Sequence, residues 1–271
     1  MFFEQDSSIF AHMNETISIR QESTAITVVT LGRPESANAL NTLMAQELAG
    51  ALVDAFENKA CRVILLTGAG KHFCAGADLK ERKGMSEKDW HIQHDAFEKA
   101  LHSIMRCPIP VIAAVNGAAM GGGLELALAC DFIYAATTAR FALTETTLGI
   151  IPGLGGGQTL ARAVGTAYAK ELIFTGKPFS AGEAFAIGMV NTVFSSETLM
   201  SEALTTARTI ASNAPLAVRA IKQSINQGMA LPLKDALVGE LAHYRSLLSS
   251  KDRHEGINAW GEKRKPAFTG E

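Results

Sequence analysis

The stretch Gly121-Gly122-Gly123-Leu124-Glu125-Leu126-Ala127-Leu128-Ala129-Cys130 decides how the rest of the chain is read. Its second half is rich in Leu and Ala and free of proline, the composition of a helix. The three glycines therefore fall at a helix start. Glycine has no Cβ, so its backbone can approach a ligand closely. The first N–H groups of a helix have no internal acceptor, and the helix dipole favours negative charge there. Gly121 to Gly123 can thus present amides to an anion, with Glu125 in the first turn beside them. Taken alone, such a run serves equally as a tight turn with a solvated first-turn acid.

Outward from this stretch the elements alternate. Pro110-Val111-Ile112-Ala113-Ala114-Val115 reads as a short apolar strand before it, and Asp131-Phe132-Ile133-Tyr134-Ala135 as another after it. Towards the N-terminus, Ile17 to Arg20, Ala25 to Leu31 and Arg62 to Thr67 are further strands rich in β-branched residues. Asn41 caps a predicted helix from Thr42 to Asn58 with Leu43, Leu48, Leu52 and Phe56 on one face, and Met85 to Met105 is also helical. Apolar strands without strict alternation, separated by helices, imply an α/β chain whose strands are covered on both faces. From Leu199 the pattern becomes all-helical: Leu199 to Asn213, Ala217 to Met229 and Pro232 to Ser249. The chain divides into a core of residues 1–198 and a helical region of residues 199–271, of the kind that packs back on a core or builds an oligomer interface.

The chain has 271 residues, 47% of them hydrophobic, enough for a large core. A formal net charge of −2 gives no reason to expect a polyanion partner. Cys61, Cys74, Cys107 and Cys130 lie far apart with no CxxC pair, which suits reduced, buried thiols in a cytoplasmic protein. Met1 to Glu15 carries Glu4, Asp6 and Glu15 and no Lys or Arg, unlike a secretory or mitochondrial leader. The most apolar window, Val111 to Cys130, is interrupted by Asn116, the glycines and Glu125, so it reads as buried core rather than a membrane span. His91 and His94 have no third ligand at sensible spacing and read as surface residues, with no metal expected. No Walker loop or complete dinucleotide fingerprint is present.

Three other segments carry chemistry. His72-Phe73-Cys74-Ala75-Gly76-Ala77-Asp78-Leu79 follows a strand; its small residues admit a ligand to the backbone, and Asp78 can cap a following helical turn, leaving the Ala77 N–H as a free donor. In Phe141-Ala142-Leu143-Thr144-Glu145-Thr146-Thr147-Leu148-Gly149 an acid sits among apolar and hydroxyl residues, and buried acids are rare unless paired or functional. Ile150-Ile151-Pro152-Gly153-Leu154-Gly155-Gly156-Gly157-Gln158 is a wall where backbone can meet a substrate, or a helix-initiating turn.

These segments, with Asn116-Gly117-Ala118-Ala119-Met120 and the tail Glu262-Lys263-Arg264-Lys265-Pro266, resemble the enoyl-CoA hydratase/isomerase (crotonase) superfamily in order and spacing over almost the whole chain. The resemblance implies a crotonase-like spiral of ββα units with a C-terminal helical region that builds homotrimers and homohexamers. It implies an acyl-CoA thioester substrate and no separate cofactor. The thioester oxygen would be held by the amides of Ala77 and Gly122, and the two acids of the hydratases map to Glu125 and Glu145. Members that only move a double bond commonly keep one acid, so the pair favours a hydratase over an isomerase. By the same resemblance, backbone around Ala37, Ala39, Ala75, Gly76, Asp78, Leu79, Gly121 and Gly153 lines the substrate and CoA path, and Tyr244, Trp260 and Lys263 meet the CoA nucleotide, often from a neighbouring subunit. Gly157 and Thr159 depart from the usual Thr and Arg of the Gly-Gly-Thr-Gln-Arg-Leu pattern.

Gly76 to Arg82, Gly123 to Cys130, Ala169-Lys170-Glu171-Leu172-Ile173-Phe174 and Ile225 to Met229 look like the methylglutaconyl-CoA hydratase branch. Its substrate ends in a carboxylate, for which Lys80, Arg82 and Lys83 are candidate partners; a short straight-chain enoyl-CoA is the alternative. One animal member of that branch also binds AU-rich RNA through a lysine-studded helix. The matching stretch here, Asn41 to Lys59, has only Lys59 and carries Glu47, Asp54 and Glu57, so no nucleic-acid binding is expected. A catalytically idle or RNA-binding scaffold is the reading furthest from these residues.

Overall fold

The computed structural model describes residues 14–271; the reading of the N-terminal segment falls almost wholly outside them. Two sheets organise the chain. The larger has the order β1 (Ile17–Ser23), β2 (Ile26–Leu31), β3 (Val63–Gly68), β5 (Val111–Val115), β7 (Phe132–Ala136), β10 (Thr192–Phe194). The smaller has the order β4 (His72–Cys74), β6 (Ala118–Met120), β8 (Arg140–Ala142), β9 (Phe179–Ser180). Among the described residues only the β1–β2 and β8–β9 pairs are antiparallel.

The interleaving of strand numbers is the fold. Each turn of the chain lays one strand in the large sheet, the next in the small sheet, and then returns through a helix. So β3–β4, β5–β6 and β7–β8 are successive turns, and each stacks parallel on the one before. This is the crotonase-type spiral of ββα units. Helices α1 (Thr42–Glu57), α3 (Glu87–Met105) and α4 (Gly122–Ala129) return the chain on one side.

Both faces of the large sheet are apolar, which explains why its strands do not alternate in sequence. Val29, Leu31, Ile64, Leu66, Ala113, Val115 and Ile133 point towards α1, α3 and the small sheet, where Phe73, Phe97 and Phe141 are fully buried. Their neighbours Val28, Val63, Leu65, Ile112 and Ala114 point the other way, onto α8 (Leu199–Ala211) through Leu199, Ala203, Leu204 and Ala207. Asn41 caps α1 as expected, its Oδ1 accepting from the Met44 amide at 2.9 Å. The buried face of α1 is Met44, Ala45, Leu48, Ala51, Leu52 and Ala55, which includes the predicted Leu48 and Leu52, while Leu43 and Phe56 are partly buried at its margins.

Helix α8 starts at Leu199 and covers the large sheet's second face, so it packs as part of the core. Leu199 and Leu204 are needed to bury Val63 and Ile112. The less buried helices are α9 (Pro215–Gly228), α10 (Leu233–Ser246) and α11 (Lys251–Gly261), the last not anticipated from sequence. Lys222 anchors α9 by donating to Asp131 Oδ2 (2.7 Å) and the Ile109 carbonyl (2.8 Å). Arg62 holds the carbonyls of Ala211 and Phe268. All four cysteines are free and buried. Among the described residues no helix is long and apolar enough to cross a membrane.

Helix α4 lies hard against β4: a Cβ on Gly123 would fall 2.1 Å from the Cys74 carbonyl oxygen. Gly123→Ala therefore forces main chain apart. It is expected to cost at least the roughly 1–3 kcal/mol of ordinary overpacking, read as a lower midpoint in urea or thermal unfolding. An unchanged midpoint would contradict this packing.

Candidate active site

Strands β4 and β6 end side by side, because His72 pairs with Ala118 and Cys74 with Ala119 in parallel register. The chain leaving β4 runs through Ala75-Gly76-Ala77, and the chain leaving β6 enters α4 through Gly121-Gly122. Ala77 forms a parallel bridge with Leu40, made by the Leu40 amide donating to the Gly76 carbonyl (2.7 Å) and the Asp78 amide donating to the Leu40 carbonyl (2.9 Å). In that pattern the N–H of Ala77 itself points away from Leu40. Its nitrogen lies close to Gly122: a Cβ built on Gly122 would stand 3.8 Å from the Ala77 nitrogen, and one on Gly76 3.5 Å from the Gly122 nitrogen. Among the described residues neither amide has an acceptor within the protein. Both residues are partly exposed, so these donors are available to a ligand.

These amides open onto a cleft of about 630 Å³. Ala75, Gly76, Ala77, Leu79, Gly121, Gly122 and Gly153 line it, as do both Glu125 and Glu145. Glu125 is 2% exposed and reaches from α4 to the start of α5 (Gly156–Val164), where its Oε1 accepts from the amides of Leu154 and Gly156, each at 2.8 Å. The start of α5 has no side-chain cap of its own, so this carboxylate takes that place. Glu145 begins a 3-10 turn, Glu145–Leu148, and its Oε2 is buried without a partner among the described residues. Gly121 makes room for it. That residue has φ +49°, and a Cβ there would lie 2.9 Å from Glu145 Oε1.

Burial pushes the Glu125 carboxyl up to about 7; the Glu145 carboxylate adds to the rise, while the Gly156 and Leu154 amides and the Arg82 charge oppose it. Burial also raises Glu145 above the usual carboxylate range. Two acids of raised proton affinity in one cleft can take and give protons, and two unpaired amides beside them can stabilise a developing oxyanion.

Sequence reasoning missed the opposite wall. Trp90, His94 and Phe97 line it from α3 at i, i+4, i+7, a helical stripe that was visible in the sequence. His94, expected at the surface with His91, instead stacks on Trp90 at 4.8 Å, its side chain 19% exposed; His91 remains exposed. Leu148, Ile150, Ile151 and Leu154 complete the apolar lining. Of the three candidate cations only Arg82, on the short helix α2 (Leu79–Arg82), reaches the cleft. It lies 5.5 Å over the Phe97 ring, and its Nε donates to Gln93 Oε1 at 2.8 Å.

Six of the expected substrate and CoA residues fall outside the lining of this cleft. The carboxylate of Asp78 is buried away from the cleft, paired with Arg33 at 2.9 Å and capping α2 at the Lys80 amide. The carbonyl of Ala37 accepts from the Ala75 amide, and that of Ala39 from Arg33 Nη1. These three residues shape the loop around the cleft without lining it. Tyr244 on α10, Trp260 on α11 and Lys263 are exposed and do not line the cleft of a single chain.

The model of the enoyl-CoA hydratase/isomerase family matches residues 21–271 of this chain. The chain belongs to that family. It is 39% identical over 259 residues to the 2,3-dehydroadipyl-CoA hydratase of Escherichia coli, covering 95% of this chain and 100% of that one. It is 41% identical over 250 residues to the human mitochondrial enoyl-CoA hydratase domain-containing protein 2, covering 90% and 86%. A crystal structure of an enoyl-CoA hydratase from Bacillus anthracis superposes with a TM-score of 0.93 at 44% identity, covering 95% and 100%. Membership brings a CoA thioester as the substrate type, and the spiral core with its two-loop cleft is the family's fold.

The raised affinity of Glu125 has a consequence for stability. Its folded value, about 7, lies above the ordinary 4.5, so its contribution is fully present below 4.5 and is lost as pH rises through 7. Glu125→Gln removes that titration. Urea unfolding at stepped pH is expected to show the variant gaining on the native chain between those two values; a difference independent of pH would contradict the burial of this acid.

Proposed function

We propose that the protein is a hydro-lyase that adds water across the 2,3 double bond of a 2-enoyl-CoA. The observation carrying this is the convergence of the Ala77 and Gly122 amides beside two carboxyls, Glu125 and Glu145, in one cleft. Attack of water on C3 moves the alkene electrons towards the thioester oxygen, which becomes negative. Ala77 and Gly122 donate to that oxygen, and the dipole of α4, starting at Gly122, adds to their effect. Each such donor is worth about 2.7–4 kcal/mol in the transition state.

Glu125 holds the water and takes one proton as the new C3–O bond forms. Glu145 gives a proton to C2 as the enolate collapses. One proton has left water and one has reached carbon, and the acids return to their starting state when the proton passes from Glu125 to Glu145. Because the two titrate as a pair, the sharing rather than either single value sets the working pH. Glu145→Gln is expected to abolish nearly all hydration of crotonyl-CoA while acyl-CoA binding, followed by calorimetry, survives. Full hydration by that variant would refute the assignment, and shuttling of a 3-enoyl-CoA to the 2-enoyl form without water addition would make the protein an isomerase.

For the acyl chain, Arg82 favours one that ends in a carboxylate, as in methylglutaconyl-CoA, over a short apolar chain. Its guanidinium faces the cleft with only Nε engaged among the described residues, and the nearby Glu81 carboxylate is already held by the Thr42 amide and Gln93. A charged hydrogen bond of this kind is worth about 1.5–3 kcal/mol. Arg82→Met should therefore lower kcat/KM for methylglutaconyl-CoA by roughly 10- to 100-fold, with a smaller loss for crotonyl-CoA. Equal losses for both thioesters would assign Arg82 no part in selecting the chain.

The CoA nucleotide is proposed to meet Tyr244, Trp260 and Lys263 of a neighbouring subunit, with Lys263 as a point charge for phosphate. Leu233, Leu237, Leu241, Ile221, Ile225 and Met229 leave an apolar face on α9 and α10 that water does not favour, which supports a trimer or a dimer of trimers.

A further inference from the structure

A largely buried ion pair that no step of the proposed hydration uses ties the loop after β4 to the loop after β2. Arg33 and Asp78 meet at 2.9 Å, and their side chains are 19% and 9% exposed. The same Arg33 Nη1 donates to the Ala39 carbonyl at 2.7 Å. One guanidinium thus grips both sides of the Leu40–Ala77 bridge: residue 39 on one strand and residue 78 on the other. Arg33 is itself fixed, since its amide donates to Asn38 Oδ1 at 2.9 Å. Asn38 is fully buried in the left-handed region at φ +55°, and its Nδ2 donates to the carbonyls of Ala69 (2.9 Å) and His72 (2.7 Å), at the two ends of the turn leading into β4. Asp78 in turn caps α2 at the Lys80 amide, 3.0 Å away.

The peptide between these anchors is Ala77. The direction of its N–H is set by the bridge on one side and by the Asp78 clamp on the other. We propose that Arg33 and Asp78 are a positioning pair that aims the Ala77 amide at the thioester oxygen, with Asn38 holding the arginine in place. This rests on the reading of Ala77 and Gly122 as the oxyanion donors, and it assigns Asp78 to orientation instead of CoA contact. An amide that turns by a few tenths of an ångström still lets substrate bind but stabilises the enolate less. The expected signature is therefore a loss in kcat, not in KM.

The test uses Asp78→Asn, Arg33→Met and Arg33→Lys in the full-length protein. Two readouts are taken: steady-state hydration of crotonyl-CoA, and the absorption of a bound dimethylaminocinnamoyl-CoA, which moves to longer wavelength as its carbonyl is polarised. The native chain should shift the chromophore. Asp78→Asn and Arg33→Met should shift it less and lower kcat by roughly 10- to 100-fold with little change in KM, and Arg33→Lys, which keeps the charge, should recover part of both. Asp78→Asn keeps the side-chain volume and an acceptor for the Lys80 amide, so it carries the test even where Arg33→Met does not fold. Variants with the full shift and native kcat would overturn the proposal, as would a loss confined to KM, which would place the pair on CoA. Absence of a shift in the native chain would instead overturn the oxyanion reading beneath it.

Discussion

Strands β4 and β6 are three residues each, and their parallel pairing is the constraint on which the site depends. Parallel register makes the chain leave both strands in the same direction. The two exits, Ala75 to Ala77 and Gly121 to Gly122, therefore run side by side, although they are separated by a full turn of the spiral. Just beyond the strands the Ala75 amide donates to the Ala37 carbonyl and the Gly121 amide to the Ala142 carbonyl, and only after these do Ala77 and Gly122 present amides with no acceptor among the described residues. Two unpaired N–H groups in one place are thus a product of the topology, and the apolar core beneath them, built on Phe73 and Phe141, holds both strands rigid.

The electrostatics follow from the same packing. Helix α4 starts at the exit of β6, so Glu125 is buried one turn into it. A carboxylate there needs donors, and the start of α5 supplies two amides to one oxygen, leaving the other oxygen towards the cleft. Glu145 comes from the next turn of the spiral, just after β8, with an unpaired oxygen of its own. The fold keeps both acids out of water at a cost in stability, as active sites commonly do.

The long elements were legible in the sequence because their signals are strong: apolar runs at Val63 to Leu66 and Val111 to Val115, an Asn cap at Asn41, a Leu and Ala helix after the glycines. The small sheet was not legible from residue patterns. His72–Cys74, Ala118–Met120 and Arg140–Ala142 are too short for any period to show, and only the family resemblance implied them. The candidate site was legible where chemistry is unusual, at Ala77, Gly122, Glu125 and Glu145, which the fold brings into one cleft. It was not legible where residues act through neighbours distant in sequence. Asp78 pairs with Arg33, 45 positions away, a partner that no local pattern in the sequence announces. His94 passed for a surface group because the loop it packs against, near Gly153, lies about two turns of the spiral later. The placement of Leu199 and Leu204 in the core likewise depends on a sheet face assembled from four separate strands.

In the proposed reaction two amides from successive turns of the spiral hold a single carbonyl oxygen. A crystal structure of the protein with a saturated acyl-CoA thioester tests it most directly. The account predicts the thioester oxygen within about 2.7–3.1 Å of the nitrogens of both Ala77 and Gly122, with the α- and β-carbons facing Glu145 and Glu125. A thioester oxygen turned to solvent, or held by one amide alone with the acyl carbons away from the acids, would contradict it.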